Sequence, residues 1–325
     1  MHRNRKKRLV LFAKFLIALS IALLIYGLIL DYGTPGKKLI DPIRDVEPIE
    51  EEENTVNVTT ATEIETEEEI IISGSRNGNN KIVGNNDSVP TSIDEVNNKL
   101  RDEIQKKYDI TIAYGSETNG YSVKNGGTVI TTNPITNADV VNSQLNQLNQ
   151  TLDMYPNGMF REIKNGGIPL KIILVDSYSD TSVTGVTDSS YEYANISIAA
   201  MYPFAESFYH ESYHYIERYM FKNGANFNSW DTLNPSGFRW NTIDGSLSYN
   251  NTFSQDAPFV NNYAQTAATE DRASTFEYMM ASSKASCLNN GTTVWKKANY
   301  MSQMIRQVIS SVRNSSNVRW EQYLY

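Results

Sequence analysis

Apolar positions recur along this chain with two different periods, and the periods divide it into elements. Ser92-Ile93-Asp94-Glu95 sets Ser three residues before Glu, a pattern that satisfies free N–H groups at a helix start, and predicts a helix to about Lys107. Asp109 to Ala113 and Thr128 to Thr131 alternate apolar and polar residues, the period of a half-buried strand. Val141, Leu145, Leu148 and Leu152 are spaced four, three and four apart, the buried stripe of a helix opened by Thr136 and Asp139 and ended before Pro156. Gly166-Gly167-Ile168-Pro169 is a turn, and Leu170 to Val175, apolar except for Lys171, reads as a largely buried strand. Asn195 to Ala200 is a second strand with Ile196 and Ile198 on one face. Pro203 ends it and opens a helix to about Lys222, with Gly224 placed to cap its C-terminus. Tyr209, Tyr213, Ile216 and Met220 are that helix's apolar stripe.

Asn223 to Pro258 has no sustained period and reads as long loops, in which Trp230 and Trp240 either line a cleft or anchor the loop to the body. Tyr263 to Glu277 begins as a turn and becomes a helix with Ala273, Phe276 and Met280 toward the core. Gly291 to Val312 reads as a last helix, buried through Trp295, Ala298, Ile305, Val308 and Val312. Residues 91–325 are thus expected to form one α+β domain, a small sheet packed on a central helix with a mostly helical C-terminal part.

The first 90 residues follow a different pattern. Residues 1–8 carry five basic side chains. Leu9 to Leu30 is then apolar apart from Lys14, Ser20 and Gly27, and as a helix it would span roughly 33 Å, enough to cross a bilayer. The apolar run continues past Ala22 through Leu23 to Leu30, which favours an uncleaved anchor over a signal peptide. The basic flank predicts a cytoplasmic N-terminus and an extracellular remainder, a single-pass protein of the cell membrane. Residues 31–90 are acidic and polar, with Glu50 to Glu53 and Glu63, Glu65, Glu67, Glu68 and Glu69, and read as a disordered stalk with a short strand at Glu69 to Ser73.

The net charge of -8 mixes a strongly positive tail with a strongly negative stalk, and nothing basic enough for nucleic acid remains. With one cysteine, Cys287, no internal disulfide is possible, so the domain must rest on its hydrophobic core. The Asn-rich, Cys-poor composition suggests a bacterial surface protein.

Histidine usage marks the chemistry. The chain has three histidines: His2, and the pair in His210-Glu211-Ser212-Tyr213-His214. Four residues apart on a helix, His210 and His214 project from one face and can bind a single metal ion. Glu211 beside them can take a proton from a water that attacks a carbonyl. The position six beyond His214, where a third histidine would sit, is Met220, so the third protein ligand should be a carboxylate. Glu270 lies at the end of an inward-facing helix stripe, where a carboxylate is costly unless it is paired or bound to metal. Asp271 points about 100° away from that stripe, and Glu217, three residues after His214, is placed to orient a ligand imidazole.

His210-Glu211-x-x-His214 followed by Tyr263-Ala264-x-Thr266-x-x-x-Glu270-Asp271-x-Ala273-x-x-Phe276 resembles the gluzincin-type zinc metallopeptidases of bacterial surfaces. It is more distantly similar to the catalytic domain of anthrax lethal factor and to the Pro-Pro endopeptidases. The likeness covers roughly Leu145 to Met280, including the Asn234-Pro235-x-Gly237-Phe238 loop, and both motifs in this order are more specific than the first alone. The resemblance implies a zincin-like fold and one Zn2+ per chain held by His210, His214 and Glu270. It further implies Glu211 as general base and Tyr263 as the oxyanion donor. Many relatives carry Glu four residues after the ligand Glu, where this chain has Ser274. The expected activity is hydrolysis of protein or peptide substrates by a zinc-activated water. A catalytically inactive zinc-containing binding module of the envelope, and a zinc hydrolase acting on a cell-wall amide, are the rival readings.

Overall fold

Helix α1 (Ile93–Tyr108) starts where the Ser92 side chain accepts the Glu95 N–H at 3.2 Å, as its Ser-x-x-Glu pattern predicts. It stops at Asp109, whose left-handed φ of 61° turns the chain into strand β1 (Thr111–Ala113). Asp109 is therefore a helix cap and not the first strand residue. Strands β2 (Ser122–Asn125) and β3 (Thr128–Pro134) pair antiparallel as a hairpin. Helix α2 (Ala138–Leu152) is capped by Asn137 in place of the expected Thr136, its side-chain oxygen accepting the Asp139 N–H at 2.8 Å. The predicted stripe Val141, Leu145, Leu148 and Leu152 is buried. A short helix, α3 (Met159–Asn165), leads into β4 (Leu170–Tyr178), which is followed by β5 (Gly185–Ser189), β6 (Ala194–Ala199) and α4 (Phe204–Lys222).

The computed structural model describes residues 92–125, 128–200, 204–249 and 256–325. The expected tail 1–8, anchor 9–30 and stalk 31–90 with its short strand lie outside the described residues, as does Pro203. Among the described residues no helix is long and apolar enough to cross a membrane.

The six strands form one mixed sheet in the order β2-β3-β4-β6-β5, with β1 also paired to β4. β4 and β6 run parallel, and β5 closes the edge antiparallel to β6. Strand periodicity sorts the two faces. Ile172, Leu174, Ile196 and Ile198 share the main core with the apolar residues of α2 and α4. Ile173, Val175 and Ala199 point the other way, onto Val123 and Ile130 of the hairpin.

After α4, which Gly224 follows with φ 83°, the described residues before helix α5 (Ala268–Met280) hold only short 3-10 turns. Trp230 is fully buried, so it anchors the loop rather than lining a cleft. The expected last helix is two helices, α6 (Thr293–Val308) and α7 (Ser310–Arg313). They part at the buried, extended Ile309, because the Glu162 carboxylate from α3 accepts the N–H groups of Ser310 and Ser311 at 2.7 Å each.

Candidate metal centre

Helix α4 lies against β5 and β6 and also packs on α2 and α5. Tyr213 and Ile216 are fully buried, so the helix cannot rotate without exposing them, and the neighbouring face carries His210 and His214. Their ring centroids are 5.2 Å apart. The first turn of α5 brings in Glu270, whose Oε2 is 3.1 Å from His210 Nε2 and 3.7 Å from His214 Nε2. One ligand atom from each of these three residues lies within 4.8 Å of the others, and the group can hold a metal ion. The donor set fits: bonds of about 2.0–2.1 Å in tetrahedral array put ligand atoms roughly 3.4 Å apart. Two imidazoles and one carboxylate also leave a fourth position open.

The electrostatics point the same way. Burial alone would lower His210, but the carboxylates of Glu270 and Glu277 push it up to about 10. Burial would raise Glu270, and the two imidazoles instead hold it well below the usual carboxylate range. A cation bound at this point would take over the work of the His210 proton.

Glu277 was not singled out by sequence reasoning. Two turns after Glu270 on the same face of α5, it sets Oε2 3.5 Å from His210 Nδ1, the ring nitrogen turned away from Glu270. Lys284 holds its other oxygen at 2.5 Å and reaches Glu206 at 2.6 Å. The seven-residue spacing from Glu270 was the available signal. Ser274 is buried, and its hydroxyl has no hydrogen-bond partner among the described residues.

Glu211 faces β5, a strand the sequence pattern did not predict. Thr187 Oγ1 lies 2.7 Å from Glu211 Oε2 and 2.8 Å from its carbonyl, donating its one proton to that pair. Gly185 is small for a reason: a Cβ there would lie 2.8 Å from Glu211 Cγ and 2.9 Å from Ile198 Cδ1. Strand β5 thus both seats and orients the carboxylate.

Tyr263 opens a 3-10 turn, Tyr263–Gln265, with its ring centroid 5.8 Å from that of His210. Burial, with the nearby carboxylates of Glu270 and Glu211, holds its hydroxyl well above the usual tyrosine range, so it stays a proton donor. The remaining two candidates face elsewhere. Glu217 is paired in a buried contact with Arg272 of α5. Asp271 is fully buried with Lys297, Nζ to Oδ2 2.7 Å, and accepts the Trp230 indole N–H at 2.7 Å. Both tie α4, α5, α6 and the loop together behind the ligands, and neither belongs to the His-His-Glu group. A hollow of about 650 Å³ in the loop between Asp231 and Trp240 is lined by none of the site residues.

No protein-family model matches the chain, and no curated protein matches it. Among solved structures, the chain is similar to a putative zinc-binding metallo-peptidase from Bacteroides caccae ATCC 43185 at 13% identity and a TM-score of 0.45. The match covers 71% of this chain and 94% of that one.

Proposed function

We propose that this chain is a zinc-dependent peptidase of gluzincin type with a zincin-like domain. The observation that carries the reading is the convergence of His210, His214 and Glu270 on one point, with Glu211 held beside them by Thr187. Zinc held by the three ligands would act as a Lewis acid toward a peptide carbonyl and make water more acidic. Glu211, an acceptor aimed by the Thr187 hydroxyl, takes the proton of the attacking water and delivers it to the leaving amine. The Tyr263 hydroxyl donates a hydrogen bond to the oxygen on which negative charge develops. Glu277, fixed by Lys284, keeps the His210 ring turned toward Glu270. Residues 9–30 would anchor the domain outside the cell, where its substrate would be a protein or peptide.

The test is digestion of unfolded casein by the zinc-loaded full-length chain and by Glu211→Gln. Cleavage by the first, and its loss in the second at equal zinc content, is the expected result. Casein left intact by both would point to a binding module, and release of fragments from cell walls in its place would point to an amide hydrolase.

A further inference from the structure

Tyr263 is 54% exposed; its ring meets His210 and its hydroxyl meets the Glu270 carboxylate, and for the rest its place is set by the turn that carries it. Two residues on, Gln265 is fully buried beneath that turn. Its side-chain oxygen accepts the Asp244 N–H at 2.7 Å, while its amide donates to the Asp244 carbonyl and to Ser248 Oγ, both at 2.9 Å. Its own backbone carbonyl accepts the Asn241 N–H at 2.9 Å. Ser248 Oγ in turn donates to Asn262 Oδ1 at 2.5 Å, one residue before the tyrosine. A single buried amide therefore reads both backbone groups of Asp244, a two-point contact that fixes direction as well as distance.

Within the turn, the Gln265 N–H bonds the Asn262 carbonyl at 3.1 Å, and both the N–H and hydroxyl of Thr266 bond the Tyr263 carbonyl. Tyr263 and Gln265 thus move as one rigid piece, and that piece is attached to residues 241–248 through the glutamine. Resting on the peptidase reading above, we propose that Gln265 is the positioning residue for Tyr263: it locks the phenol's turn to the loop 241–248. It does not touch the reacting atoms and acts through the tyrosine alone.

The test has two arms, each on the zinc-loaded full-length chain with Gln265→Ala and, should that variant fail to fold, Gln265→Asn. In the first arm the protein carries 3-fluorotyrosine, and the resonance of Tyr263 is assigned by its absence from Tyr263→Phe. A shifted or broadened Tyr263 resonance in the Gln265 variant, at unchanged zinc content, is expected; an unmoved one overturns the proposal. In the second arm casein cleavage is compared in two backgrounds. The Gln265 change should lower the rate about 10-fold when Tyr263 is present and less than about 2-fold when it is already Phe. Equal losses in both backgrounds mean a general structural role and also overturn it. If the wild type cleaves nothing, the peptidase reading fails, and the fluorine arm still decides whether Gln265 positions the tyrosine.

Discussion

At His210 burial opposes a proton and two carboxylates attract one, and the carboxylates win. Its affinity is raised from 6.5 to about 10, so the proton's contribution to the stability of metal-free protein is complete below about 6.5 and lost as pH rises through about 10. Glu270 is shifted down, so its contribution is present above its ordinary value of 4.5 and lost only in strong acid. A metal ion binding at this group must displace the His210 proton. Calorimetric titration at pH 7 in buffers of different ionisation heat should therefore show about one proton released per zinc, with apparent affinity rising about tenfold per pH unit. Uptake without proton release would mean that His210 is already neutral and that its carboxylate partners are misassigned. Gly185 supports a second prediction at this scale. Gly185→Ala forces Glu211 aside, and the cleavage rate should fall about 10–100-fold while zinc content stays at the wild-type level.

Helix α5 gives three successive residues three different tasks: Glu270 to the metal group, Asp271 to Lys297, Arg272 to Glu217. Lys297 also donates to the Pro258 carbonyl at 2.7 Å, so one ammonium joins α6, α5 and the loop. Lys297→Met leaves Asp271 buried without its cation and should cost about 3–5 kcal/mol in denaturant unfolding, whereas Lys297→Met with Asp271→Leu should cost clearly less. A double variant no better than the single would show that packing, not charge, dominates here. The elements with a strong local period were legible: α1 by its cap, α2 by its leucine stripe, α4 by its aromatic stripe and α5 by Ala273 and Phe276. Strands β2 and β5 were not, because Ser122-Val123-Lys124-Asn125 and Gly185-Val186-Thr187-Asp188-Ser189 lie at or near the sheet's edge and need few apolar residues. The kink at Ile309 was invisible because its cause, Glu162, is 148 residues away from Ser310.

Across the whole molecule the same division holds for the site. His210, Glu211 and His214 could be read from a local spacing, and Glu270 from the expense of an inward carboxylate. Thr187, Gly185, Glu277 and Lys284 act through contacts that exist only once β5 and α5 have been laid against α4, and no local pattern announces them. That arrangement also has a bearing on how long each copy lasts. Two of the three residues that could hold an ion sit on α4 and one on α5, so an ion bound there would close the stretch of chain between the two helices, 223–267, into a ring. Stripping the ion opens that ring, and brief chymotrypsin treatment with a chelator should cut within 223–267 several-fold faster than without it. Equal cutting rates would show that packing alone holds the segment. For the peptidase proposed above, metal status would then decide which copies stay intact, since a copy without its ion offers that stretch to cleavage.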